Sequence, residues 1–296
     1  MKQTILVAGG TGNLGGRIVK ALIKRGAEVR VLSRNEIDPV KIKKLTELGA
    51  EVITVDMSDV EELKNACQGV SCVVSALAGL HDVIVDSQTL LLDAAIAAGV
   101  PRFIPSDFSS DFTKMPEGEN RNFDLRKQFH KYLDKSPIAA TSILNGAFSD
   151  ILSYNTPLYN PNDHSVAYWG DNPDWKVDFS TMDNTADYTS AAALDSATPK
   201  ILRIASFQIS PNELIAIGQE VKKTNFKLVP MGSLEDFSVS NKRERAAHSE
   251  GEKQIYPHWQ ASQYLYSMFS VQNKPLDNER YPDFQWTSAI DVISKI

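Results

Sequence analysis

The sequence predicts an α/β fold: an open, doubly wound parallel sheet followed by a smaller C-terminal α+β lobe. Three observations predict it. A short apolar run, Ile5-Leu6-Val7-Ala8, enters the glycine-rich turn Gly9-Gly10-Thr11-Gly12-Asn13-Leu14-Gly15, and residues 17–25 leave it with Ile18, Leu22 and Ile23 at helical spacing. Apolar strand-like runs then alternate with helical patterns as far as residue 144, the pattern of βαβ units. Beyond residue 149 that alternation stops, and Asn, Pro, Tyr, Asp and Trp take over.

The glycine turn carries the first functional signal. Its glycines permit a tight turn, close backbone approach to a pyrophosphate and close packing of helix on strand, while the helix N-terminus offers unpaired N–H groups to an anion. A second strand at residues 28–32 follows, as a dinucleotide-binding Rossmann unit requires. Gly9, Thr11, Gly12, Asn13, Leu14 and Gly15 are therefore the expected dinucleotide cradle. A P-loop would need Lys and then Ser or Thr after the last glycine, and Gly16-Arg17 stand there instead.

Where the second strand ends, an NAD-specific site places Asp or Glu against the ribose 2′-hydroxyl, and this chain places Ser33-Arg34-Asn35. A guanidinium grips a phosphate with parallel hydrogen bonds and stacks on adenine, so Arg34 predicts NADP(H).

The remaining elements follow in order. Residues 39–48 read as a helix, Gly49 as its C-cap and residues 51–55 as a third strand. Asp56-Met57-Ser58-Asp59 closes that strand at the carboxyl edge, where Asp56 either accepts the adenine amino group or joins Ser58 and Asp59 in capping the helix at 61–67. A fourth strand, 71–75, leaves through the small residues of Ala76-Leu77-Ala78-Gly79, which suits close passage of a cofactor. A helix at 85–98 stops at Gly99-Val100-Pro101, and a strand at 102–105 delivers Ser106 and Asp107 to the reactive end of the cofactor. Residues 109–122 read as a mobile loop, 123–135 as an amphipathic helix and 139–144 as a sixth strand that opens on Asn145, also a cofactor contact.

These elements place the NADP(H)-binding domain at residues 1–150 and a smaller substrate-binding lobe at 151–296, either separate or sharing one core with the first. In the lobe, residues 175–179, 201–205 and 226–229 read as strands and 185–194 and 212–223 as helices, and Ala261, Tyr264, Leu265 and Met268 share a helical spacing. Phe108, Phe148, Tyr168 and Trp169 would line an aromatic substrate pocket, or belong to ordinary core. The lobe covers the substrate or offers a dimerisation surface, so a monomer and a homodimer both fit.

Composition narrows the function classes. At 296 residues with 42% hydrophobic content the chain builds a full core, and its net charge of −6 disfavours nucleic acid and anionic membranes as partners. Cys67 and Cys72 match no metal or redox spacing and read as buried cytosolic thiols. The start of the chain does not read as a signal peptide and no run is long enough to span a bilayer, so the expected location is cytoplasmic. His81, His164, His248 and His258 fall in no metal-ligand spacing, and no G-x-S-x-G elbow occurs.

The glycine turn with Arg34, the segment Asp56-Met57-Ser58-Asp59 and the segment Arg102-Phe103-Ile104-Pro105-Ser106-Asp107-Phe108 together resemble the NmrA-like and isoflavone-reductase-like group of atypical short-chain dehydrogenase/reductases. The resemblance implies a Rossmann domain with a small substrate domain, and NADPH-dependent reduction of aromatic or unsaturated small molecules. It also admits a second function, because members resembling the nitrogen-metabolite regulator bind dinucleotide and sense redox state without catalysis.

Short-chain dehydrogenases in general use Tyr-x-x-x-Lys on a helix, and Phe123-Asp124-Leu125-Arg126-Lys127 occupies that place here without the phenol. The resemblance to isoflavone-reductase-like enzymes implies a lysine on this helix, making Lys127 the first candidate for orienting ribose and relaying a proton. His130 is the second candidate, as a general acid near neutral pH. The resulting expectation is an NADPH-dependent reductase of a small carbonyl, quinone or conjugated compound. The alternative is an NADP(H)-sensing regulator acting through a protein partner.

Overall fold

The computed structural model describes residues 2–34 and 37–296, and the chain divides into two compact units. The first comprises Met1–Asp107, Leu125–Ile143 and Thr185–Leu202, and the second Phe108–Asp124, Leu144–Asn184 and Arg203–Ile296. In place of one boundary at residue 150, the chain passes from unit to unit several times.

In the first unit β1 (Thr4–Ala8), α1 (Asn13–Lys24), β2 (Glu28–Ser33), α2 (Pro39–Glu47), β3 (Glu51–Thr54), α3 (Val60–Ala66), β4 (Cys72–Ser75), α4 (Gln88–Ala97) and β5 (Arg102–Ile104) alternate as expected. α5 (Arg121–Leu133) then leads to β6 (Ala139–Ala140). The six strands form one parallel sheet in the order β3-β2-β1-β4-β5-β6. That order reverses direction between β1 and β4, and the carboxyl ends of those two strands flank the crevice where open α/β sheets take ligands. Strand β1 is buried on both faces: Leu6 and Ala8 join Leu91, Phe103 and Phe129, while Ile18, Val19 and Leu22 of α1 are fully buried as well.

Local chemistry sets the element ends. Asp38 caps α2 ahead of Pro39, and Asp59, not Ser58, caps α3 by accepting from the Glu61 and Glu62 amides. The helix expected from residue 85 begins instead as a wider π turn, Asp82–Ser87, that runs into α4. The expected sixth strand splits at Thr141. Its amide still donates to the Phe103 carbonyl, but the Ser142 amide turns to Lys200 at 2.8 Å, and β7 (Ser142–Leu144) pairs outside the main sheet.

Further along lie β8 (Ala147–Phe148), β9 (Ser165–Tyr168), β10 (Val177–Ser180), α6 (Met182–Leu194), β11 (Ile201–Arg203), the partner of β7, and β12 (Phe207–Ile209). α7 (Pro211–Lys222), β13 (Lys227–Pro230), α8 (Leu234–Ala247), α9 (His258–Ser270) and α10 (Ala289–Ile293) complete the chain. The second unit holds a three-stranded sheet, β12-β10-β8, and a parallel pair, β13-β9, around Leu158, Tyr159, Phe179, Leu214 and Phe269. Strand β9 lies in the stretch read as irregular from sequence.

The segment expected as a mobile loop is packed. Asp111, Asn120, Arg121 and Asn122 are buried, and Asn120 exchanges hydrogen bonds with Gln260 and Ser267 of α9. Asp111 is paired with Arg203 at 2.7 Å and Lys114 at 3.2 Å; burial alone would raise its pKa, and these partners with Thr113 hold it below the usual carboxylate range.

Candidate active site

In the first unit the expected cofactor residues all fall at the carboxyl edge of the parallel sheet. Gly9 follows β1 with φ +81°, a conformation open to glycine, and a Cβ there would run into the Ala76 carbonyl and stand 3.1 Å from the Leu77 nitrogen. Gly15 is pressed against the turn itself: a Cβ would strike the Gly9 carbonyl oxygen and lie 2.9 Å from Gly10 Cα. Gly12, whose amide donates to the Gly9 carbonyl at 2.9 Å, precedes α1 without a side-chain cap, and no acidic residue occupies the first turn. The turn thus presents bare backbone and uncapped amides of Asn13, Leu14 and Gly15, with Thr11 beside them, to an anion.

Arg34 is exposed directly after β2, and its carbonyl accepts from Ser33 Oγ at 3.2 Å. Asn35 and Glu36 lie outside the described residues. With Arg34 as the 2′-phosphate ligand, Arg34→Ala is expected to weaken NADPH about 10- to 100-fold while leaving NADH unchanged, the loss of a charge-assisted hydrogen bond. Calorimetric titration with both cofactors checks it, and equal weakening of the two would contradict it.

Asp56 turns its Oδ1 onto Ser58, accepting from the amide at 2.8 Å and the hydroxyl at 2.7 Å, and these bonds lower its pKa. Met57 and Leu77 pack against the first unit's core, and the Ala76 amide donates to the Ala8 carbonyl at 2.8 Å. Ser106 is committed to the fold: its hydroxyl donates to the Leu77 carbonyl at 2.6 Å and its amide to Gln88 Oε1 at 2.9 Å. It ties the turn after β4 to the turn after β5, a role that nothing in the local sequence indicated.

Asp107, expected at the reactive end of the cofactor, is fully buried. Its Oδ2 accepts from Ser142 Oγ at 2.7 Å and lies 2.7 Å from His130 Nε2. Burial by itself lowers the imidazole pKa, but the Asp107 charge and hydrogen bond, with Asp134, outweigh burial and the nearby Arg126, so His130 titrates above its usual range. Lys127 lies one turn earlier on the half-buried face of α5, with His130 at i+3. Sequence reading singled out both residues of α5 but not Ser142, which is remote in the chain.

In the second unit Asn145 is fully buried, and neither its Oδ1 nor its Nδ2 has a hydrogen-bond partner among the described residues. Its backbone is fixed, because the Asn145 and Gly146 amides both donate to the Ser109 carbonyl, at 3.0 and 3.1 Å. Phe108 is buried, Phe148 half-buried in β8 and Tyr168 half-buried against the core. Trp169 serves packing: its ring stacks on Phe237 at 4.7 Å and approaches Phe269 at 5.4 Å, inside the unit's apolar cluster.

Among the described residues no group of His, Cys, Asp and Glu could hold a metal ion, and no helix is long and apolar enough to cross a membrane. Cys67 and Cys72 are free thiols that burial pushes up to about 11 and about 12, which leaves them protonated and unreactive at neutral pH.

A family model described as the NmrA-like family matches residues 1–280. The chain belongs to this family. Within it, this NmrA-like chain is 30% identical over 282 residues to pinoresinol reductase 1 of Arabidopsis thaliana, covering 86% of the chain and 85% of that relative. It is 27% identical over 320 residues to the bifunctional pinoresinol-lariciresinol reductase of Forsythia intermedia, covering 99% of each. Among solved structures, AtPrR2 with NADP+ and (+)pinoresinol superposes with a TM-score of 0.81 at 26% identity, over 100% of this chain and 99% of the other. The leucoanthocyanidin reductase–NADPH complex from Vitis vinifera, at 17% identity and a TM-score of 0.80, shares the fold.

Proposed function

We propose that this NmrA-like chain is an NADPH-dependent reductase of a small aromatic or conjugated compound bearing a carbonyl, quinone or enone-like group. The observation that carries the reading is the turn at residues 9–15, whose contacts leave room for backbone alone beside the uncapped α1. Relatives named as pinoresinol reductases, and a neighbour solved with NADP+ and (+)pinoresinol, support reduction of an aromatic substrate over dinucleotide sensing.

In this reading Gly9, Thr11, Gly12, Asn13, Leu14 and Gly15 hold the pyrophosphate, and Arg34 holds the 2′-phosphate. Asp56, Met57, Ala76 and Leu77 border the adenosine side. When bound, the nicotinamide supplies a hydride. Lys127 orients the ribose and delivers the proton that completes reduction. Asn145 gives its buried amide to a polar ligand atom, since a buried amide with no partner costs about 1–3 kcal/mol per group and is retained for a reason. Phe108 and Phe148 offer apolar contact to the substrate.

The test is oxidation of NADPH by a panel of aldehydes, ketones, quinones, enones and (+)-pinoresinol. Turnover of at least one member supports the reading, and binding of NADPH with no turnover across the panel would sink it. Lys127→Ala is expected to lower kcat by about 10²-fold or more, the usual worth of a positioned proton donor, with NADPH affinity much less changed. A variant with undiminished kcat would remove Lys127 from the reaction.

A further inference from the structure

The α5 helix is tied to the first unit in several ways. Phe129 and Leu133 are buried in the core, the Phe129 ring standing 6.4 Å from Phe103, and this apolar contact sets depth without strict direction. Gln128 meets His81 at 2.9 Å and Tyr132 donates to Asp93 at 2.7 Å, both at exposed positions. The bond between His130 and Asp107 differs from these in being directional, shielded from solvent and made to a buried carboxylate. Ser142 holds the same oxygen of Asp107, so the acceptor is itself fixed.

We propose that His130 is a positioning residue for the reductase: through Asp107 it fixes the rotation and register of α5, and with them the place of Lys127. The proposal rests on the reading of Lys127 as proton donor. It gives His130 a role other than general acid, with Nε2 engaged by the buried Asp107 carboxylate. Lys127 precedes His130 by three residues on one face, so a turn of the helix that relaxes the His130 bond carries Lys127 with it. Misplacement of a reacting group by about 1 Å costs up to about 10²-fold in rate.

The anchor is pH-dependent. Burial and Arg126 on its own helix lower the His130 pKa, and Asp107 beyond β5, with Asp134 just after α5, outweigh them and raise it. A raised value means that the stabilisation is complete below the unfolded pKa of about 6.5 and is lost as pH rises through the folded value. The neutral imidazole keeps an Nε2–H bond but not the charge, so the alkaline loss is partial.

His130→Gln, which keeps a donor and removes the charge, tests this in the NADPH-bound protein. Expected are a kcat lower by about tenfold, an unchanged NADPH affinity, and loss of the alkaline limb that wild type shows near the His130 titration. A stability role alone would lower the melting temperature and leave kcat and its pH profile as they were, which overturns the proposal. A second readout needs no turnover. In NADP+-bound protein with 13C-methylated lysines, the Lys127 signal, assigned with Lys127→Arg, is expected to follow the His130 titration in wild type and not in His130→Gln. Should wild type bind NADPH and reduce nothing, the reductase reading fails separately, and this signal alone decides the anchor; a Lys127 signal indifferent to His130 overturns it.

Discussion

Gly15→Val is expected to raise the Kd for NADPH by at least about 10²-fold, about 2.7 kcal/mol, and to lower the melting temperature by several degrees. The atoms that a side chain meets there are all backbone: the Gly9 carbonyl, with its carbon 2.7 Å away, and Gly10 Cα at 2.9 Å. No rotamer relieves such a contact, so α1 must lift off β1 or the turn must open. Neither motion is local. Gly9 is itself wedged against Ala76 and Leu77 after β4, so displacement of the turn spreads across the switch point of the sheet. Gly26→Ala is the control: its φ of +82° gives a left-handed penalty of about 1–2 kcal/mol, but the space around it is open and NADPH affinity is expected to stay at the wild-type value. If the two variants bind NADPH alike, the cradle is not at residues 9–15.

The first unit was legible because its signals are local. Glycine turn, buried strand runs and Asp or Pro at helix starts each reflect the chemistry of a few adjacent residues, and the parallel pairing of the sheet follows from the alternation of strands and helices. The second unit hides its pattern. The buried side of α9 is formed by Trp259, Gln260, Gln263, Ser267, Met268 and Phe269; of the set Ala261, Tyr264, Leu265 and Met268, Ala261 is exposed, Tyr264 and Leu265 are half-buried, and Met268 is buried. Buried Ser238 and Asn241 conceal α8 in the same way. Hydrophobic periodicity detects a face packed by apolar groups alone, and these faces mix apolar packing with buried hydrogen bonds.

The candidate site divides along the same line. Gly9, Gly12 and Gly15 are recognisable from their spacing, and Arg34 from its place after a strand. Asp107, Ser142 and His130 come together only through tertiary structure, and a sequence cannot say whether Asp107 faces a ligand or the interior. Asp107 is buried, and Asn145 is a buried amide with neither side-chain atom hydrogen-bonded among the described residues.

Polar packing of this kind makes Arg121 the position of largest expected effect on stability. Arg121→Ala is expected to destabilise the second unit by about 3–5 kcal/mol, since removing one member of a buried charged network strands the rest. The guanidinium, on the first residue of α5, reaches four carbonyls: Gly251 at 3.3 Å, Glu252 at 3.4 Å, and Gln254 and Ile255 at 2.9 Å each. It pairs with the Glu252 carboxylate at 3.5 Å and lies 4.7 Å from the centre of the Trp259 ring, and Arg245 lies 5.2 Å from the same ring. These partners hold residues 251–255, the end of the 3₁₀ turn Ser249–Lys253 and the two residues after it, where the Gly251 carbonyl also accepts from the Gln254 amide at 3.0 Å. Arg121→Lys is expected to recover little, because an ammonium has three donors around one point and cannot span the fork that serves both pairs of carbonyls. Calorimetry should show a fall in melting temperature on the order of 10 °C for both variants, while NADPH affinity measured well below the transition is retained. A lysine variant as stable as wild type would mean that charge, and not the planar fork, is what this cluster requires.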